Sequence, residues 1–409
     1  MYFTRFAVFL TFLLVLFTLA KCDLDIQLLH VVFRHGDKVP HREYQNYPTD
    51  PHRDHDYTPL GNGDLTNQGK MREYRIGTML RERYDRYFGP DYWPAKIYAR
   101  STDVPRTQLS LQLVLAGLFP PSQKQTWNPH LPWIPAWSFF VPYEADNLLF
   151  PHRCPKYKEE YDKFLHQENI REIVNKYKNV MDYLTSHTGK VVNTTSAVAY
   201  LYNLFKEEAA QNLTLPRWTE SVYPSPMKDM LALDFKLRSY TKTLRRLNGG
   251  MLLRKVVDDI QTYRKGRLQP EDRKAFLFSG HEVNVAAFAR VLGLDEPVIP
   301  AYGSTLIFET LRDKKRTYYV RVLLWTGVSE QLSIQTIPGC TELCPLEQFL
   351  GIVKDVLPNE EEYHCHHNKA TDDSRKNEAL HSSSTRPTAS AISCWSLTAI
   401  LIALFFRHS

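Results

Sequence analysis

Ile26-Gln27-Leu28-Leu29-His30-Val31-Val32-Phe33, followed at once by Arg34-His35-Gly36-Asp37-Lys38, is the stretch on which the rest of the chain is read. The apolar run reads as a buried strand, so a reactive segment sits where a strand ends. Arg34 offers a planar, permanently charged fork suited to a phosphate. His35 offers a ring nitrogen able to act as base, acid or nucleophile, and Gly36 lets the backbone turn tightly. This residue set handles anions; it does not pack a core.

Two distant segments repeat the layout. Lys96 to Asp103 reads as a short strand ending near Arg100, with Pro105 opening an apolar helix that runs to Gly117. Ala275 to Gly280 reads as another buried strand, and His281-Glu282 stands directly before a helical stretch toward Leu292. In open α/β sheets ligands bind beyond the carboxyl ends of strands, where loops and helix N-termini gather. Arg34, His35, Arg100, His281 and Glu282 are therefore expected in one pocket.

These residues carry a resemblance. The chain is similar to the histidine acid phosphatases of the animal prostatic and lysosomal type and of insect venom. Further similar segments are Arg100-Ser101-Thr102-Asp103 with Arg106-Thr107, Leu118 to Pro121, Trp127-Asn128-Pro129, Asn212 to Pro216 with Trp218, Pro338-Gly339-Cys340 and Cys344-Pro345-Leu346. The resemblance implies an α/β fold of the phosphoglycerate mutase-like, histidine phosphatase type: a mainly parallel sheet with flanking helices plus a helical insertion domain. It also implies a phosphate monoester substrate and no metal or other cofactor. The chain departs from the family pattern twice. Lys38 stands where the family has a second arginine, keeping the charge and losing the fork. Glu282 replaces an aspartate, moving its carboxyl by one methylene.

Phosphate monoester hydrolysis demands charge stabilisation, a positioned nucleophile and a proton for the leaving alkoxide. The expected roles are His35 as nucleophile through a phosphohistidine, Arg34, Lys38, Arg100 and His281 as holders of the phosphoryl oxygens, and Glu282 as proton donor. Surrounding cations should lower the pKa of His35 and keep it nucleophilic in acid. Beside this reading stand a phosphatase narrowed to an inositol phosphate or a lysophospholipid, and a secreted or venom-borne binding protein on a catalytically weakened scaffold.

Composition points to the secretory pathway. Residues 1–22 combine an early Arg5, a long apolar run and a small-residue site at Ala20, as in a signal peptide. The net charge of +6 is spread among acids, without the dense basic tract a nucleic-acid groove needs. Of six cysteines, Cys22 falls in the signal and Cys394 in the terminal tail, which leaves Cys154, Cys340, Cys344 and Cys365 and three arithmetic pairings. The resemblance implies Cys340–Cys344 and Cys154–Cys365. Asn193 and Asn212 head glycosylation triplets. The polar stretch after Tyr363 and the apolar Leu397 to Phe406 resemble a GPI-attachment signal, which would hold the enzyme on the outer leaflet; the apolar part is shorter than a spanning helix requires. The expected location is extracellular or at the cell surface, with the lysosome as alternative, and a homodimer is among the expected assemblies.

The remainder reads as scaffold. Residues 23–126 and 275–357 form a discontinuous α/β catalytic core, residues 127–274 a mainly helical domain, and residues 358–409 the tail. Thr66 to Phe88 is expected as a helix presenting Met71, Tyr74, Leu80, Tyr84 and Tyr87 to a sheet face and stopping at Gly89-Pro90. Ile170 to Leu184 and Met227 to Leu247 are the clearest helices of the middle region, broken at Asn248-Gly249-Gly250. Ser304 to Thr310 and Thr317 to Trp325 are expected strands. Trp127 and Trp133 are candidates for the substrate mouth, and His52 to Asp56 lies in a loop that rims the pocket or faces solvent. His364-Cys365-His366-His367 is metal-like in composition, but a disulfide cysteine in it argues against a metal site.

Overall fold

The computed structural model describes residues 24–365; the expected signal peptide and nearly all of the C-terminal tail lie outside the described residues. The strands are β1 (Asp25–Arg34), β2 (Ile97–Ser101), β3 (Phe139–Phe140), β4 (Ala275–Gly280), β5 (Thr305–Arg312), β6 (Tyr318–Trp325), β7 (Leu332–Gln335) and β8 (Cys344–Pro345). They form one sheet in the order β3-β2-β4-β1-β5-β6-β7, with β8 paired to β6. The half from β3 to β1 is parallel, as expected. The half from β1 outward is antiparallel, so the sheet is mixed.

Alternation along the strands sends side chains to two separate cores, as a period of two requires. Leu29, Val31 and Phe33 of β1, with Ala275 and Leu277 of β4, pack under helices α1 (Asn67–Phe88) and α2 (Pro105–Leu118). Leu28 and Val32, with Phe276 and Phe278, pack on the other face. There they meet α4 (Gly249–Arg264) and α5 (Glu282–Val291), which follow α3 (Thr195–Ala210) in the chain. Although α4 falls within the segment expected as the helical domain, its Leu252, Leu253, Val256 and Ile260 belong to the sheet core.

Three local expectations change. The buried stripe of α1 is Glu73, Ile76, Leu80, Tyr84 and Phe88, while Met71 and Tyr74 face solvent. Helical spacing from Leu80 runs through 73, 76, 84 and 88, and two apolar side chains off that stripe do not redirect it. The helix expected over Ile170 to Leu184 is two, Glu168–Asn175 and Lys178–Thr188, and Met227 to Leu247 divides into Met227–Arg238 and Lys242–Leu247. The glycine break serves packing, since a Cβ on Gly249 would lie 2.0 Å from the carbonyl oxygen of Ala287 on α5. Both expected disulfides, Cys154–Cys365 and Cys340–Cys344, are formed.

Candidate active site

Parallel register assembles the site. Arg34 of β1 is opposite Gly280 of β4, and Ser101 of β2 is opposite Ser279, so the three strands end together and release their loops on one edge. Helices α2 and α5 begin at that edge and aim their positive ends at it. The loop after β1 lies directly on the first turn of α1. A Cβ on Gly36 would stand 2.4 Å from the carbonyl oxygen of Gly69, and one on Gly69 would stand 2.1 Å from that of Asp37. Only paired glycines allow this approach. The Gly36 N–H donates to Ser110 Oγ of α2, 3.3 Å away.

A pocket of about 310 Å³ opens there, lined by Arg34, His35, Lys38, Arg106, His281 and Glu282 among others. His35 is buried within this lining. Its Nδ1 donates to the carbonyl oxygen of Gly36 at 2.9 Å, which leaves Nε2 as the unprotonated nitrogen, and Arg106 Nε donates to that Nε2 at 3.1 Å. Burial first, then the charges of Arg106, Arg34 and His281, push the His35 pKa well below the ordinary histidine value. His281, 5.5 Å away between ring centroids, is lowered in the same way by burial, Arg106 and Arg34. Its Nε2 lies 3.0 Å from Thr102 Oγ1.

Each cation is held differently. Arg34 donates through Nη1 to the carbonyl oxygen of Pro300 at 2.7 Å, lies 4.0 Å over the ring of Tyr302, and makes a 2.6 Å charge contact with Glu282. Arg106, in the first turn of α2, also reaches Tyr44 Oη at 3.5 Å. Arg100 departs from expectation: it is paired with buried Asp146 at 2.6 Å and does not line the pocket. It stands one residue before the end of β2, in register with Phe278, so the pleat turns its side chain to a sheet face. Of the two arginines in the segment 100–106, the one that lines the pocket is Arg106. The available signal was an arginine in the first turn of a helix starting just beyond a strand end.

Glu282 opens α5, and its Oε1 accepts from Asn203 Nδ2 of α3 at 3.0 Å. The lining also includes aromatic and apolar side chains: Tyr44, Val104, Tyr143, Phe150, Tyr200 and Val283. Trp127 and Trp133, expected at the mouth, are not in it; Trp127 is exposed and its indole N–H donates to the Trp133 carbonyl. His52 is tied to the Thr214 carbonyl, 2.8 Å from its Nε2, outside the pocket wall. Among the described residues no cluster of His, Cys, Asp and Glu could hold a metal ion.

The family model of the histidine phosphatase superfamily, branch 2, matches residues 25–325, a span that contains every residue of this pocket. The chain belongs to this superfamily. Its relatives include venom acid phosphatase Acph-1 of Apis mellifera, 36% identical over 342 residues, which cover 83% of this chain and 88% of that one. Human prostatic acid phosphatase is 30% identical over 348 residues, covering 83% and 88%. The solved Hafnia alvei phytase in complex with tartrate superposes with a TM-score of 0.61 over 85% of this histidine phosphatase and all of that chain, at 18% identity, which shows a shared fold.

Proposed function

We propose that this histidine acid phosphatase hydrolyses phosphate monoesters through a phosphohistidine on His35. The observation that carries the reading is the fixed tautomer: with Nδ1–H committed to the Gly36 carbonyl, Nε2 is the unprotonated nitrogen, and its lone pair accepts from Arg106 Nε in a pocket lined by two arginines, a bond that Arg106 exchanges for a phosphoryl oxygen when substrate enters. In the first half-reaction Nε2 forms a bond to phosphorus as the bond to the leaving oxygen breaks, and Glu282 gives that oxygen a proton. In the second, water forms the new P–O bond, the P–N bond breaks, and Glu282 takes the proton back. Arg34, Arg106 and His281 hold the phosphoryl oxygens, with Arg106 in the role expected of Arg100. Rapid mixing with labelled substrate and alkaline quench should place label on His35. No trapped phosphoenzyme, together with near-normal turnover in His35→Ala, would refute the mechanism.

We further propose secretion with glycosylation at Asn193 and Asn212, both exposed, and attachment to the outer leaflet through a GPI signal in the tail. Release of activity from membranes by a phosphatidylinositol-specific phospholipase tests the anchor. Retention after that treatment, with Leu397 to Phe406 found by mass spectrometry, would overturn it.

A further inference from the structure

Lys38 is 6% exposed and its ammonium carries three protons, all of them already engaged. Nζ donates to Glu207 Oε2 at 2.7 Å, to Gln45 Oε1 at 2.9 Å and to the carbonyl oxygen of Val39 at 3.3 Å. Glu207, on α3 and 1% exposed, is the hub of this arrangement. Its Oε2 also accepts from Gln45 Nε2 at 2.9 Å, and its Oε1 accepts from the hydroxyl of Tyr302 at 2.8 Å. Tyr302 in turn carries the Arg34 guanidinium over its ring, and the neighbouring Pro300 carbonyl receives Arg34 Nη1. One buried carboxylate thus joins the loop after β1, the short helix Arg42–Gln45, α3 and the 300–302 loop.

A phosphoryl oxygen could accept a hydrogen bond from Lys38 only by displacing one of these acceptors. Displacing Glu207 would strand a buried carboxylate, which costs more than a single hydrogen bond returns. An arginine, with five donors in a fork, could hold Glu207 and phosphate together, whereas the three donors of this lysine are all taken by Glu207, Gln45 and Val39. We propose that Lys38 is a positioning residue and not a phosphoryl ligand. It forms with Glu207 a buried clamp that fixes Tyr302 and through it Arg34, leaving the phosphoryl group to Arg34, Arg106 and His281. This rests on the phosphohistidine reading of the site.

The test measures kcat, KM for p-nitrophenyl phosphate and Ki for inorganic phosphate in wild type, Lys38→Met, Glu207→Gln, their double variant and Lys38→Arg. A clamp predicts that both single variants weaken phosphate binding and turnover, and that the double variant is no worse than the poorer single one. A tighter Ki in Glu207→Gln would mean that the freed ammonium binds phosphate, and would overturn the proposal. Lys38→Arg, which keeps the charge and the clamp, should lower Ki about tenfold by adding a charge-assisted ligand. An unchanged Ki in a folded Lys38→Arg would also overturn it, and this arm decides the matter if the other variants do not fold. Phosphohistidine trapping in wild type separates the two levels. Its absence sinks the reading of the site, whereas its presence with a tighter Glu207→Gln sinks the clamp alone.

Discussion

Replacing Arg100 and Arg106 in turn by methionine separates a structural cation from a working one. Arg100 neutralises Asp146, which is 0% exposed, and cutting one partner from a buried ion pair costs about 3–5 kcal/mol. Asp146 Oδ1 keeps hydrogen bonds from the N–H groups of Leu148 at 3.1 Å and Leu149 at 2.9 Å, which places the loss at the lower end, about 3 kcal/mol. Unfolding entropy near 2.1 cal/mol/K per residue, over the chain from residue 24 to 365, turns this into a fall in Tm of about 4 °C. The loss should depend on pH. Burial raises the Asp146 pKa and Arg100 opposes that rise, so without Arg100 the folded-state value climbs further above the unfolded one. Stability tied to such a raised carboxyl is fully present below the unfolded pKa and drains away as pH rises toward the folded pKa, so Arg100→Met should sit nearer wild type at pH 4 than at pH 7. Its kcat/KM, measured on folded protein, should stay close to wild type. Arg106→Met should behave in the opposite way. Removing the donor to His35 Nε2 should cost about 10²–10³ in kcat/KM, while Tm stays at or above wild type because a cation leaves the neighbourhood of Arg34, Lys38 and His281. Scanning calorimetry at the two pH values and p-nitrophenyl phosphate kinetics read both quantities. A folded Arg100→Met with normal Tm and a tenfold higher KM would return Arg100 to the phosphoryl cradle and refute the reasoning.

Glu282→Gln should slow alkyl phosphates by about 10²–10⁴ and p-nitrophenyl phosphate much less, since that leaving group scarcely needs a proton; equal losses on both would exclude the acid role, and a large gain from Glu282→Asp would show that the added methylene impairs the site. Because burial and neighbouring cations hold the His35 pKa well below its ordinary 6.5, kcat/KM should pass through pH 6.5 without an acid-limb break and fall only at lower pH; a limb at 6.5 that vanishes in Arg106→Met would contradict this. Breaking Cys154–Cys365, which spans a sequence separation of 211, should cost about 5 kcal/mol on the loop-entropy model, and peptide mapping that finds Cys154 free would defeat the pairing.

The apolar run of β1, the strand ends at Arg34 and Gly280 and the helix starts beyond them were legible in order, because buried strands and helix caps are local signals. So were the pocket places of His35, His281 and Glu282, each the first or second residue after a parallel strand. The direction of Arg100 was less plain. Period two places it on a sheet face with Tyr98, but its strand-end position suggested the pocket, and Asp146, its partner, lies 46 residues further on. The exposed Met71 and Tyr74 of α1 mislead for a similar reason: residue type announces burial only on average, and the helix settles which stripe meets the sheet.

What the chain by itself determined is the chemistry available: a histidine just after a buried strand, arginines near strand ends and a helix start, a carboxyl opening a helix, and four cysteines within the described residues. Which of those groups work together was decided only by tertiary structure. The two arginines that share the segment 100–106 are separated by the pleat of β2 and the turn into α2, one spent on Asp146 and the other placed on His35. Lys38 and Glu207, 169 residues apart, meet because α3 packs beside the loop after β1. A side chain's residue type limits what it can donate, but its role follows from which acceptors the folded chain brings within 3 Å of it, and those come from segments far away along the sequence.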